Sequence, residues 1–142
     1  MQSIVNRKAK FEYLFIDTYV AGISLIGSEV KAIRDGKANM VDAYCIFDKG
    51  ELWVKSLGIT PGPGSFQHDP MRDKKILLRK RELRKLGSSL DKGLTIIPIK
   101  IFCNEKNRLK IEIALAKGKK LYDKRETIKK RDIDKETNRN LK

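Results

Sequence analysis

Histidine, cysteine and tryptophan are scarce here: one His, two Cys and one Trp in 142 residues. Cys45 and Cys103 lie far apart in the chain, and His68 has no partner at metal-ligand spacing. No zinc or dithiol centre is therefore expected. The two thiols read as small buried side chains in a reducing cytoplasm. Catalytic signatures are missing as well: there is no G-x-S-x-G, no Walker loop and no H-E-x-x-H. His68 stands beside Asp69, but adjacent residues in a turn seldom face one another, so both are expected to bond loop backbone. The stretch Pro61-Gly62-Pro63-Gly64 is not a phosphate cradle, because proline lacks the N–H such a loop uses. Long apolar runs are absent too. The longest, Leu94 to Phe102, is broken by Pro98 and Lys100 and is too short to span a bilayer. The first ten residues hold no apolar core of an export signal. These absences predict no enzyme, no cofactor, no metal and no membrane partner.

Acidic residues are also few against basic ones, 18 against 32, for a net charge of +14. Lys117 to Lys142 holds eleven Lys/Arg and five Asp/Glu, a net of +6 (11 − 5), which leaves +8 (14 − 6) for the rest. The basicity thus belongs to body and tail alike and points to a nucleic-acid partner. The tail has too few apolar residues to offset the entropy of ordering it. It still carries helix signals. Asp123 and Glu126 stand as an N-cap and its reciprocal partner, and Glu126 and Lys130 are at i, i+4 in the favourable order. A helix forming against a polyanion is expected. Tyr122, between Lys119-Lys120 and Lys124-Arg125, suits stacking on an unpaired base.

Along the body, residues 6–10 read as a basic lead-in. Aromatic-rich 11–17 and then 22–26 read as two strands. Ser28 can cap a short helix ending at Gly36, with Val30 and Ile33 inward and Lys31 and Arg34 outward. Glu29 on that helix is expected on its exposed side, accepting from a base or a 2′-OH, or pairing with Arg34. Residues 39–48 and 51–57 read as strands joined by a hairpin turn in which Gly50 takes positive φ. Ile76 to Leu90 reads as an amphipathic helix with an extended 76–78 before it. Residues 94–103 read as a strand with an edge or bulge at Pro98, and 108–115 as a half-buried strand. About six strands and two or three short helices predict a mainly β fold. The expected architecture is a small closed antiparallel β-barrel of OB type over residues 1–116, with a basic tail over 117–142.

The runs at 6–9 (NRKA), 17–39 (DTYVAGISLIGSEVKAIRDGKAN), 68–72 (HDPMR), 74–86, 93–102 and 114–132 (ALAKGKKLYDKRETIKKRD) resemble the small protein B, or SsrA-binding, family. The resemblance covers nearly the whole chain. It implies an OB-type barrel that binds the tRNA-like domain of transfer-messenger RNA near its D-loop and elbow. The complex delivers that RNA to stalled ribosomes in trans-translation. Glu29 then matches the family's acidic residue needed for RNA binding. Asn6, Lys8, Lys31, Arg34, Lys37, Asn39, His68 and Arg72 fall in motifs on or near the RNA-facing surface. Lys117, Lys119 and Lys120 match a basic hinge. Tyr122 takes the position that stacks in the small subunit's decoding centre. Asp123, Lys124 and Arg125 match a motif needed for accommodation. Lys129, Lys130 and Arg131 would meet ribosomal RNA phosphates along the empty mRNA channel, where the tail becomes helical. A cytoplasmic monomer in a one-to-one complex with its RNA is expected. The competing readings are a ribosomal or initiation-type OB protein bound to ribosomal RNA alone and, more distantly, a nuclease.

Overall fold

The computed structural model describes residues 2–62, 68–90 and 93–118. Their order is β1 (Ile4–Val5), α1 (Arg7–Glu12), β2 (Tyr13–Ile23), α2 (Gly27–Arg34), β3 (Ala38–Asn39), β4 (Tyr44–Asp48) and β5 (Glu51–Lys55). Then come β6 (Gly58–Ile59), β7 (Lys74–Leu77), α3 (Lys80–Leu90), β8 (Thr95–Cys103) and β9 (Leu109–Gly118). The fold is mainly β, with three short helices among the described residues.

Antiparallel pairings run from β8 to β4, β5, β7, β2 and β9, and β9 pairs again with β8. The apolar alternation of β9 explains its central place. Ile111, Ile113 and Leu115 point to one core, while Ala114 and Ala116 point to the other face. In β8 the register shifts between Pro98 and Lys100. That bulge, expected at a proline with no N–H to give, resets the alternation. Ile96 and Ile101 therefore both enter the main core, although they are an odd number of residues apart, while Ile97 and Ile99 face α1. Helix α2 contributes Ala32 and Ile33 to the main core, and α3 contributes Leu86.

The β4–β5 hairpin turns through Lys49 (φ 52°) and Gly50 (φ 77°). Positive φ at both central residues matches the right-handed twist of the strands. Elsewhere the structure corrects the sequence reading. The strands expected at 11–17 and 22–26 are one eleven-residue strand, β2, with a register shift between Phe15 and Asp17. Phe11 belongs to α1, which the lead-in at 6–10 starts. Ser28 is inside α2 and is not its cap. Strand β9 runs three residues past the strand end expected at Leu115, to Gly118, which pairs with Tyr13.

Asn6 caps α1 and joins three segments. Its Oδ1 accepts from the Ala9 N–H at 3.2 Å, and its Nδ2 donates to the carbonyls of Met40 at 3.1 Å and Pro98 at 3.0 Å. Asn6→Ala strands two carbonyls and one N–H, so it should lower unfolding free energy by about 2–3 kcal/mol. Urea titration should show the drop; a change under about 0.5 kcal/mol would mean water replaces those bonds.

Candidate nucleic-acid interface

Helix α2 starts where Ile26, extended at φ −89° and ψ 162°, hands over to Gly27. Its third helical residue, Glu29, reaches back so that Oε1 accepts from the Ile26 N–H at 2.9 Å. This satisfies one of the donors a helix start leaves unpaired. The carboxylate is fully buried (0% exposed). The exposed position expected for Glu29 is thus overturned, and so is its pairing with Arg34. Its partner is Arg72, whose Nε donates to Oε2 at 3.2 Å and whose Nη2 donates to Oε1 at 2.5 Å. The same Nη2 also donates to the Ser24 carbonyl at 3.3 Å. Lys74 Nζ stands 3.9 Å from Oε2 and donates to the Leu57 carbonyl at 2.7 Å.

Three charges in one small volume hold one another. Burial alone pushes the Glu29 carboxyl up. The Arg72 hydrogen bond, the Ile26 N–H and the two cationic charges outweigh burial and set it below its ordinary value. Arg72 is held above its ordinary value, first by its hydrogen bond to Glu29. Burial pushes Lys74 down, and the Glu29 charge offsets only part of that. Burial likewise pushes the Cys45 thiol up, so it is no ready nucleophile.

A second clamp lies beside the first. His68 Nε2 is 2.7 Å from the Ile59 carbonyl and Nδ1 is 2.7 Å from Ser28 Oγ. A carbonyl can only accept, so Nε2 carries a proton, and in the neutral ring Nδ1 accepts from the Ser28 hydroxyl. Asp69 Oδ1 accepts from the Met71 N–H at 2.9 Å and makes no bond to His68. His68 thus ties the segment 68–72 to β6 and the start of α2, while Asp69 holds the turn within the segment.

The remaining candidates are surface groups. Lys31, Arg34, Lys37 and Asn39 are exposed along α2 and the turn into β3. Arg34 donates to Asn107, Nη1 to Oδ1 at 3.1 Å and Nη2 to the carbonyl at 2.9 Å. Asn39 Oδ1 accepts from the Val41 N–H at 2.9 Å. Lys8 lies 3.5 Å from Asp42 and 3.8 Å from Glu12. Contacts thus connect α1 to residues 39–42 and the clamps connect α2 to 68–72, with residues 35–39 joining the two groups. Asn6, Glu29 and His68 are buried within this band, Arg72 is partly exposed, and the other cations lie on its surface. Lys117 is exposed on β9, opposite Leu14 of β2. Lys119, Lys120, Tyr122, Asp123, Lys124, Arg125, Lys129, Lys130 and Arg131 lie outside the described residues, as does the expected tail helix. Among the described residues no three His, Cys, Asp or Glu side chains could hold a metal ion, and no helix is long and apolar enough to cross a membrane.

Lys74 is the functional candidate that sequence reasoning missed. The signal was present: Lys74 shares the inward alternation of β7 with Ile76, while Lys75 and Leu77 point away.

The family model described as SmpB protein matches residues 3–142. An SsrA-binding protein of Cytophaga hutchinsonii is 56% identical over 140 residues, covering 96% of this chain and 92% of its own length. One from Phocaeicola vulgatus is 51% identical, covering 99% and 95%. A solved chain, described as tmRNA–SmpB on a journey to the centre of the bacterial ribosome, superposes with a TM-score of 0.71 at 40% identity. It covers 85% of this chain and 87% of its own.

Proposed function

The chain belongs to the SmpB protein family, and from that premise we propose that it is an RNA-binding adaptor of trans-translation. It binds the tRNA-like domain of transfer-messenger RNA and brings it to ribosomes stalled in the cytoplasm. The match over residues 3–142, tail included, carries this reading. The circuit of pairings through β8, β4, β5, β7, β2, β9 and back to β8 supports a closed barrel of OB type. The band formed by α1, residues 35–42, α2 and 68–72 is the proposed RNA-facing surface. Its exposed cations Lys31, Arg34 and Lys37 set register on phosphates. The side chains of Asn6 and His68 act from below by fixing the segments that carry those groups. Residues 117–142 are the proposed ribosome-directed part: Tyr122 stacks in the decoding centre and Lys124, Arg125, Lys129, Lys130 and Arg131 meet phosphates along the mRNA channel. The chemistry is binding, not turnover.

Affinity capture of the tagged full chain from bacterial lysate, with the bound RNA sequenced, tests this. Transfer-messenger RNA should be enriched at least about tenfold over bulk tRNA and ribosomal RNA, a preference of about 1.4 kcal/mol. Ribosomal RNA recovered alone would instead mark a ribosomal or initiation-type protein.

A further inference from the structure

We infer that Glu29 and Lys74 act on RNA at one remove, as positioning residues that hold Arg72 so that its second terminal nitrogen, Nη1, meets an RNA phosphate. The inference rests on the RNA-binding reading above and assigns the work within that site. A guanidinium has five N–H donors in a planar fork. In Arg72, Nε is taken by Glu29 Oε2, and the two hydrogens of Nη2 by Glu29 Oε1 and the Ser24 carbonyl. Both Nη1 hydrogens remain without a partner among the described residues. The Arg72 side chain is 36% exposed, whereas Glu29 and Lys74 are 0% exposed. The fork is thus clamped through Nε and Nη2 on a side chain that still meets solvent, and Nη1 is the nitrogen left to pair.

The buried side of this arrangement excludes a direct role for Glu29. Its oxygens already serve Ile26 and Arg72, with Lys74 behind them. A 2′-OH or base could reach the carboxylate only by displacing Arg72. Nearby carboxylates do not compete for Nη1: Asp69 accepts from Met71, and Asp73 faces Lys55 at 3.4 Å. A partly exposed guanidinium nitrogen with both hydrogens unpaired among the described residues takes a phosphate as its natural partner. Lys74 supplies the second positive charge that keeps Glu29 ionised, and its bond to the Leu57 carbonyl ties the cluster to the barrel.

Arg72→Lys separates positioning from contact. A lysine keeps the positive charge beside Glu29 but cannot also offer a second nitrogen. The thermal midpoint should stay within about 5 °C. Affinity of the full chain for an in vitro transcript of the transfer-messenger RNA tRNA-like domain should fall about tenfold. The slope of log affinity against log salt should become shallower by about 0.7–0.9, one phosphate's worth. In a cycle with Glu29→Gln, the double variant should lose no more affinity than Arg72→Lys alone, because both act through one contact. Losses that multiply would show Glu29 touching RNA and overturn the inference. So would wild-type affinity and salt slope in Arg72→Lys, which decides the matter alone if Glu29→Gln does not fold. Wild-type protein that fails to prefer this transcript over tRNA would overturn the RNA reading itself, and the inference with it.

Discussion

Glu29→Ala should cost about 3–5 kcal/mol of folding free energy, a large share of what a domain of this size holds. The loss comes from what is left behind. Lys74 remains fully buried with one carbonyl partner, and Arg72 loses the acceptor for two of its nitrogens. Glu29→Ala with Lys74→Met should recover part of the loss, since no ammonium is then left buried without its counter-charge. The pH dependence separates the two ions. Glu29 sits below its ordinary pKa in the fold, so its contribution is complete above the unfolded carboxyl value and disappears as pH falls through the folded one. Glu29→Ala should therefore flatten the acid limb of the stability curve. Lys74 also sits below its ordinary value, so between the folded and unfolded values the unfolded chain holds more protons and stability rises with pH. Without Glu29 that alkaline rise should be steeper. Urea midpoints from acid to alkaline pH give both limbs. An unchanged midpoint would return Glu29 to the exposed helix face where the sequence alone put it.

That displacement shows where the sequence was legible. Features set by neighbours in the chain could be read directly. The Lys49-Gly50 turn, the bulge at Pro98 and the β9 alternation each follow from one residue's backbone limits or a period of two. Helix α2 was legible for the same reason. Its contents were not, because the charges that bury Glu29 come from beyond a loop: Arg72 is 43 residues away in sequence. A glutamate near a helix start normally faces water, and only β7 passing underneath with Lys74 pointing inward reverses this. Helix α1 was missed because a basic run hid an Asn cap whose other two bonds go to Met40 and Pro98. The pattern within an element was visible, whereas the placing of one element's polar groups against another's was not.

The last 26 residues stand out in the sequence by charge and by how little apolar content accompanies it. Lys117 to Lys142 carries a net of +6 with Leu121, Tyr122, Ile128, Ile133 and Leu141 as its only apolar or aromatic residues, a composition that suits a partner supplying counter-charge. If ribosomal phosphates supply it, the triple variant Asp123→Ala, Lys124→Ala, Arg125→Ala removes the cap and two cations at the point of engagement. It should leave binding to the tRNA-like domain within about twofold, because the band around α2 is untouched, and ribosome recruitment should persist. Peptide tagging in a reconstituted system should fall by more than about tenfold, or 1.4 kcal/mol. Tyr122→Ala should fail differently: it loses a stacking surface of about 1–3 kcal/mol and with it engagement of the decoding centre. Both variants are to be read in an RNA-binding assay beside the tagging assay. Normal tagging by the triple variant would remove the tail from the mechanism. A loss of RNA affinity in step with tagging would place these residues in the RNA interface instead, and the body would no longer account for binding on its own.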